Sequence, residues 1–100
     1  EDGELLGEEA FRALAGSFLR AKADGLTECT LLEVSGKGIS AAELGRAVRT
    51  GLRTNDYTGT LDGKNVCALL SNTTPEQASI VLSRFEEKGY QCRIREGGKL

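Results

Sequence analysis

The dipeptide Asp62-Gly63 stands between two β-rich segments, Tyr57–Leu61 and Lys64–Ser71. Asp-Gly suits the positive φ angles of a two-residue turn, so the two segments read as the arms of a hairpin. The segments on either side of the hairpin narrow the fold further. Before it, Ser40-Ala41-Ala42-Glu43 is a capping box, in which the serine and the glutamate satisfy free amides at a helix start. That helix runs to about Leu52 and turns Leu44, Val48 and Leu52 inward at i, i+4 and i+8. After the hairpin, Thr74-Pro75-Glu76-Gln77 opens another helix: Thr74 caps it, Pro75 suits its first turn, and Gln77 reaches back. Ala78, Val81, Leu82 and Phe85 form its apolar face, and Gly89 ends it.

Glu28–Val34 is β-rich and mostly apolar, as a central strand is, and a loop with Gly36 and Gly38 joins it to the capping box. Tyr90–Arg95 alternates as a last strand. Upstream, Glu8–Ala23 reads as a helix with Phe11, Leu14, Ala15, Phe18 and Leu19 on one face, and Gly25 ends it. The order is βαββαβ with one preceding helix. This predicts an α+β, two-layer, ferredoxin-like core: a mostly antiparallel sheet with helices on one face. Residues 1–7 and 96–100 read as tails around a single domain at 8–95.

Apolar residues make up 39% of the 100, enough for one modest core. No apolar run approaches the ~18 residues of a membrane span. No signal peptide is visible at Glu1-Asp2-Gly3-Glu4, which says little about the full protein. With the three cysteines read as small buried hydrophobes of a reducing compartment, the expected location is cytoplasmic, free or within a membrane-anchored protein, without direct membrane contact. A net charge of −2 does not favour general binding to DNA or to a membrane surface, so an anionic ligand needs a local basic patch. RNA-recognition domains share the βαββαβ order but stack bases on strand aromatics; this chain offers Cys67, Leu69, Cys92 and Ile94 there, so no RNA partner is expected. The absence of histidine removes the commonest general base and metal ligand. Cys29, Cys67 and Cys92 lie far apart within strands and read as small buried hydrophobes. A catalytic thiol or a histidine-built metal site therefore has little support, and no cofactor is expected.

One constellation does point to a ligand. Arg53-Thr54-Asn55-Asp56 places an arginine and an aspartate three residues apart at a helix end, just before the hairpin. Arginine reads the O6/N7 edge of guanine through two parallel hydrogen bonds. A carboxylate accepts from guanine's N1 and N2 protons. Arg46, Arg49 and Arg53 share one helix face at i, i+3 and i+7, which makes Arg49 a rim contact and Arg46 part of a solvated basic stripe.

From Leu52 to Arg84 the chain resembles the GGDEF domain of bacterial diguanylate cyclases. In that family an RxxD motif precedes a strand, a Gly-Gly-(Asp/Glu)-Glu-Phe hairpin, an apolar strand and a T-x-x-x-A helix start. Here RTND is followed by YTGTL, DGKNV and CALLSNTTPEQA in the same frame. The family's RxxD is an inhibitory site for cyclic di-GMP, usually bound as an intercalated dimer, and a further arginine on the helix after the hairpin joins it. Eighteen residues beyond Val66 that position is Arg84. The resemblance thus implies a ligand set of Arg53, Asp56 and Arg84, with Arg49 beside it.

The catalytic parts differ. Cyclases hold two divalent cations on GTP with hairpin carboxylates. Those positions are Lys64 and Asn65 here, Val66 replaces the phenylalanine and Asp62 the first glycine. The strand ligand region reads Glu33-Val34-Ser35, the Asp-x-Leu-Thr-Gly-Leu entry motif is missing, and about a dozen residues of the substrate-guanine segment are lacking. The chain therefore resembles degenerate, shortened members of this family, which are cyclic di-GMP receptors rather than enzymes. The implied function is a non-catalytic cyclic di-GMP receptor regulating exopolysaccharide or biofilm-type output. Its partners would be other domains or subunits of a larger signalling or secretion protein. The alternative is a protein–protein interaction module that binds no nucleotide.

Overall fold

A computed structural model describes residues 7–60 and 65–95. The elements run α1 (Glu8–Ala23), β1 (Cys29–Ser35), α2 (Ala41–Thr50), β2 (Tyr57–Gly59), β3 (Val66–Ser71), α3 (Pro75–Glu87) and β4 (Gln91–Arg95). The fold is α+β, with a four-stranded sheet in the order β2-β3-β1-β4 and every pairing antiparallel. That is the βαββαβ arrangement with one preceding helix. The expected turn Asp62-Gly63 lies outside the described residues, but its arms pair as a hairpin's do, Tyr57 with Leu69 and Gly59 with Cys67.

Both capping boxes form. Ser40 accepts from the Glu43 amide at 3.2 Å and Thr74 from the Gln77 amide at 3.2 Å, with the return bonds also present. They fix where α2 and α3 start, and so which face of each helix meets the sheet. Leu44, Val48, Ala78 and Phe85 are buried there against Leu32, Val34, Val66, Ala68 and Leu70. Leu52, Val81 and Leu82 pack at the edge of this core, half-buried.

The expectation of helices on one face holds for α2 and α3, while α1 covers the opposite face. Phe11 and Ala15 are buried against Cys29, Leu31, Cys67 and Leu69. The reason lies in β1 and β3. Side chains alternate between the faces of a sheet, and in these two strands both alternating sets are apolar. One helical layer cannot cover both. The fit is close at one point: a Cβ on Gly59 would lie 2.5 Å from the Phe11 ring, so glycine lets α1 sit down on β2. Lys22 near the end of α1 also donates to the Cys29 carbonyl at 2.8 Å. Among the described residues no helix is long and apolar enough to cross a membrane.

Candidate functional site

α2 ends at Thr50 and the chain turns through residues 51–56 before entering β2. RTND is that turn. The Asp56 side chain faces inward and is only 3% exposed. Its Oδ2 accepts from the Arg53 backbone amide at 3.0 Å and from Arg53 Nε at 3.1 Å. Its Oδ1 accepts from Arg53 Nη2 at 2.9 Å and from the Ser71 amide at 3.2 Å. Four bonds fill the acceptor capacity of a carboxylate. The backbone closes the same turn, with the Asp56 amide donating to the Arg53 carbonyl at 3.1 Å.

Arg53 is half exposed at 55%, yet it is pinned. Beyond Asp56, its Nη2 donates to the Ser71 carbonyl at 2.7 Å and to Thr73 Oγ1 at 2.9 Å. Thr73 Oγ1 donates in turn to the Ser71 carbonyl at 2.8 Å, and Thr30 Oγ1 donates to the Thr73 carbonyl at 2.9 Å. The hydrogen bonds from Asp56, and then its charge, push the Arg53 pKa above its usual value, so the guanidinium stays charged. Among the described residues Nη1 has no acceptor and is the part of Arg53 left for a ligand. With Nε and Nη2 turned to Asp56, the two-bond reading of guanine expected of Arg53 requires the turn to open. The same holds for a contact between Asp56 and the guanine N1/N2 edge.

Arg84 stands at this place too. A cleft of about 310 Å³ runs between the 51–56 turn, the loop after β3 and one face of α3. Arg53, Asp56, Asn72, Thr73, Gln77 and Arg84 form its polar lining, and Leu52, Leu70, Ile80 and Val81 its apolar lining. On α3 the spacing of Gln77, Ile80, Val81 and Arg84 carries these side chains along one stripe beside the buried Ala78 and Phe85. Arg84 is exposed and pairs with no acid among the described residues, so neither Glu86 nor Glu87 holds it. Arg49 is placed differently. Its Nη1 donates to the Asp56 carbonyl and its Nη2 to the Arg53 carbonyl, so it braces the turn from below and does not line the cleft.

Several residues at or beside the cleft carry no motif in the sequence. Thr73 and, behind it, Ser71 anchor Arg53, Ile80 is 58% exposed at the rim, and Asn72 adopts a left-handed backbone with φ of 51°. The polar run Ser71-Asn72-Thr73-Thr74 between a strand and a capped helix was their one visible trace.

The positions that the resemblance relates to a metal site lie toward the opposite end of the sheet. Glu33 is nearly buried on the α1 face, next to Asn65, whose Nδ2 donates to Oε2 at 3.4 Å. Arg93, its cross-strand partner, reaches Oε1 through Nε at 2.7 Å and Nη2 at 2.6 Å; Arg95 reaches Oε2 at 3.2 Å. Two guanidiniums thus supply the positive charge around this carboxylate. Lys64 lies outside the described residues, and Val66 is buried under the helices. Burial raises the Cys29 thiol above its usual pKa and pushes Cys92 up to about 12, which suits packing rather than thiolate chemistry.

No family model matches this chain, and no curated protein matches it.

The cleft offers two guanidiniums, two carboxamides and an aliphatic shelf. Guanidiniums attract phosphates and stack on purine faces. The arrangement is suited to holding a flat, anionic ligand.

Proposed function

We propose that this chain is a non-catalytic receptor domain that binds cyclic di-GMP at the Arg53–Arg84 cleft and passes the bound state to another domain or subunit, in control of an exopolysaccharide or biofilm-type output. The observation that carries the reading is the meeting of Arg53 and Arg84, distant in sequence, at one cleft with an apolar shelf. Arg84 and Arg53 Nη1 would take phosphate or base oxygens, and Leu52, Ile80 and Val81 would lie against a purine ring. A cyclic dinucleotide brings two negative charges and a stacked pair four, which suits Arg84, with no acid partner among the described residues, and the Nη1 that the Asp56 pairing leaves on Arg53. Asp56 would act by holding Arg53 in place. The engagement of Glu33 by Arg93 and Arg95 supports a receptor over a cyclase, because a divalent cation would have to displace two arginines.

Isothermal calorimetry with cyclic di-GMP tests this, with Arg84→Ala as the informative variant because Arg84 is exposed and makes no hydrogen bond or ion pair among the described residues. A charge-assisted hydrogen bond contributes about 1.5–3 kcal/mol, so Arg84→Ala weakens binding roughly tenfold to a hundredfold. No heat from the wild type at high micromolar ligand would sink the receptor reading. Product formed from GTP and Mg²⁺ would overturn its non-catalytic part.

One observation favours a second reading. Every acceptor site of Asp56 is filled from within the chain, which accounts for RTND as a turn staple needing no ligand. The domain would then be an interaction module that binds no nucleotide, and the same titration would be silent.

A further inference from the structure

A guanine held in this cleft presents donors, N1–H and N2–H₂, that need an acceptor, and Asp56 is already saturated from inside the chain. The other polar lining groups narrow the choice. Arg53 and Arg84 only donate. Thr73 Oγ1 is tied to Arg53 and to the Ser71 carbonyl, and Gln77 Oε1 accepts from the Thr74 amide at 3.0 Å in the capping box. Asn72 alone in the cleft carries a side-chain acceptor with no partner among the described residues; it is exposed and lines the cleft.

We propose that Asn72 reads the guanine edge in this cleft, its Oδ1 accepting from N1–H and its Nδ2 donating to O6. This inference rests on the cyclic di-GMP reading and assigns its base contact to a residue outside the RxxD motif. The backbone makes the assignment specific. Asn72 sits at φ 51° directly between Ser71 and Thr73, both fixed by Arg53. The Arg53 guanidinium, which would hold a phosphate, is therefore bonded to the residues on either side of the group that would read the base. Glycine would satisfy a left-handed backbone equally well, so the carboxamide can be removed without disturbing the turn.

Calorimetry with cyclic di-GMP on wild type, Asn72→Gly and Asn72→Asp tests the proposal, alongside urea melts of each. Asn72→Gly is expected to bind about tenfold to a hundredfold more weakly while its urea midpoint stays at the wild-type value. Asn72→Asp keeps an acceptor and tolerates the same backbone, so it binds within about threefold of wild type. Wild-type affinity in Asn72→Gly overturns this assignment and leaves the receptor reading standing. A loss in Asn72→Asp as large as that in Asn72→Gly overturns the acceptor role even if the glycine variant is unstable. Silence from the wild type overturns both.

Discussion

Replacing Asp56 by alanine removes four hydrogen bonds at once, and the structure says which of them matter for stability. The Ser71 amide belongs to a buried residue at the end of β3 and donates to Asp56 Oδ1. Leaving such a donor unsatisfied costs about 1–3 kcal/mol. The Arg53 amide lies in an exposed turn and can be rehydrated, which costs roughly 0.5 kcal/mol. The Arg53 guanidinium is half exposed, so its ion pair with Asp56 contributes only about 0–1 kcal/mol. Asp56→Ala should therefore destabilise the domain by about 1.5–4.5 kcal/mol. Equilibrium urea unfolding followed by circular dichroism measures this as a lower midpoint at unchanged slope. A thermal melt should fall by about 6 °C or more, because about 1 kcal/mol moves a domain of this size by roughly 4–8 °C. A double-mutant cycle with Arg53→Ala separates the parts: the coupling should not exceed about 1 kcal/mol if the backbone amides dominate. An Asp56→Ala midpoint indistinguishable from wild type would refute the reasoning. So would a coupling energy that accounts for the whole effect.

Two further outcomes are expected. Gly59→Ala would set a methyl group 2.5 Å from the Phe11 ring inside the core, costing about 1–3 kcal/mol of stability in urea, and Phe11→Leu in the same chain should recover part of it; an unchanged or higher midpoint would contradict the packing. Cys92, raised to about 12 by burial and then by Glu86, should be alkylated slowly at neutral pH and about tenfold faster per unit as pH rises toward 12. The sign for stability follows: the unfolded thiol ionises first, so the folded state loses stability as pH climbs above the ordinary thiol value of 9.0, and fast alkylation at pH 8 would exclude the buried placement.

What the sequence revealed and what it hid divide along the range of the interactions involved. The capping boxes at Ser40 and Thr74 are decided by residues three apart, and both formed as read. The apolar stripes of α2 and α3 and the buried character of β1 and β3 are local patterns, so the sheet and its helical layer were legible. The stripe of α1 was legible too, but a stripe says only that a helix packs, not on which face. The seat of Phe11 over Gly59 joins positions brought together only by the fold. In the cleft, reading frame alone linked Arg53, Asp56 and Arg84. The direction each side chain takes was not legible. Asp56 turns inward because the Ser71 amide at the end of β3 needs an acceptor, and Arg49 turns to two turn carbonyls rather than to the rim. Asn72 is one residue of the polar run Ser71–Thr74, and what sets it apart, a left-handed backbone and a side chain with no partner among the described residues, depends on the fold.

The two hydrophobic layers are built on alternate residues of the same two strands, and this sets the limits of the folding unit. Leu31 and Leu32 are neighbours in β1, as are Cys67 and Ala68 in β3, yet each pair serves opposite cores. Neither layer can melt while the other keeps a strand in place at no cost, so α1 and the βαββαβ core should lose structure in one cooperative step. A fragment beginning at Cys29 would still hold every element of the ferredoxin-like core and would nevertheless turn Leu31 and Leu69 to water. The smallest piece that can stand alone therefore begins with the first turn of α1, and the added helix is part of the domain rather than an attachment to it.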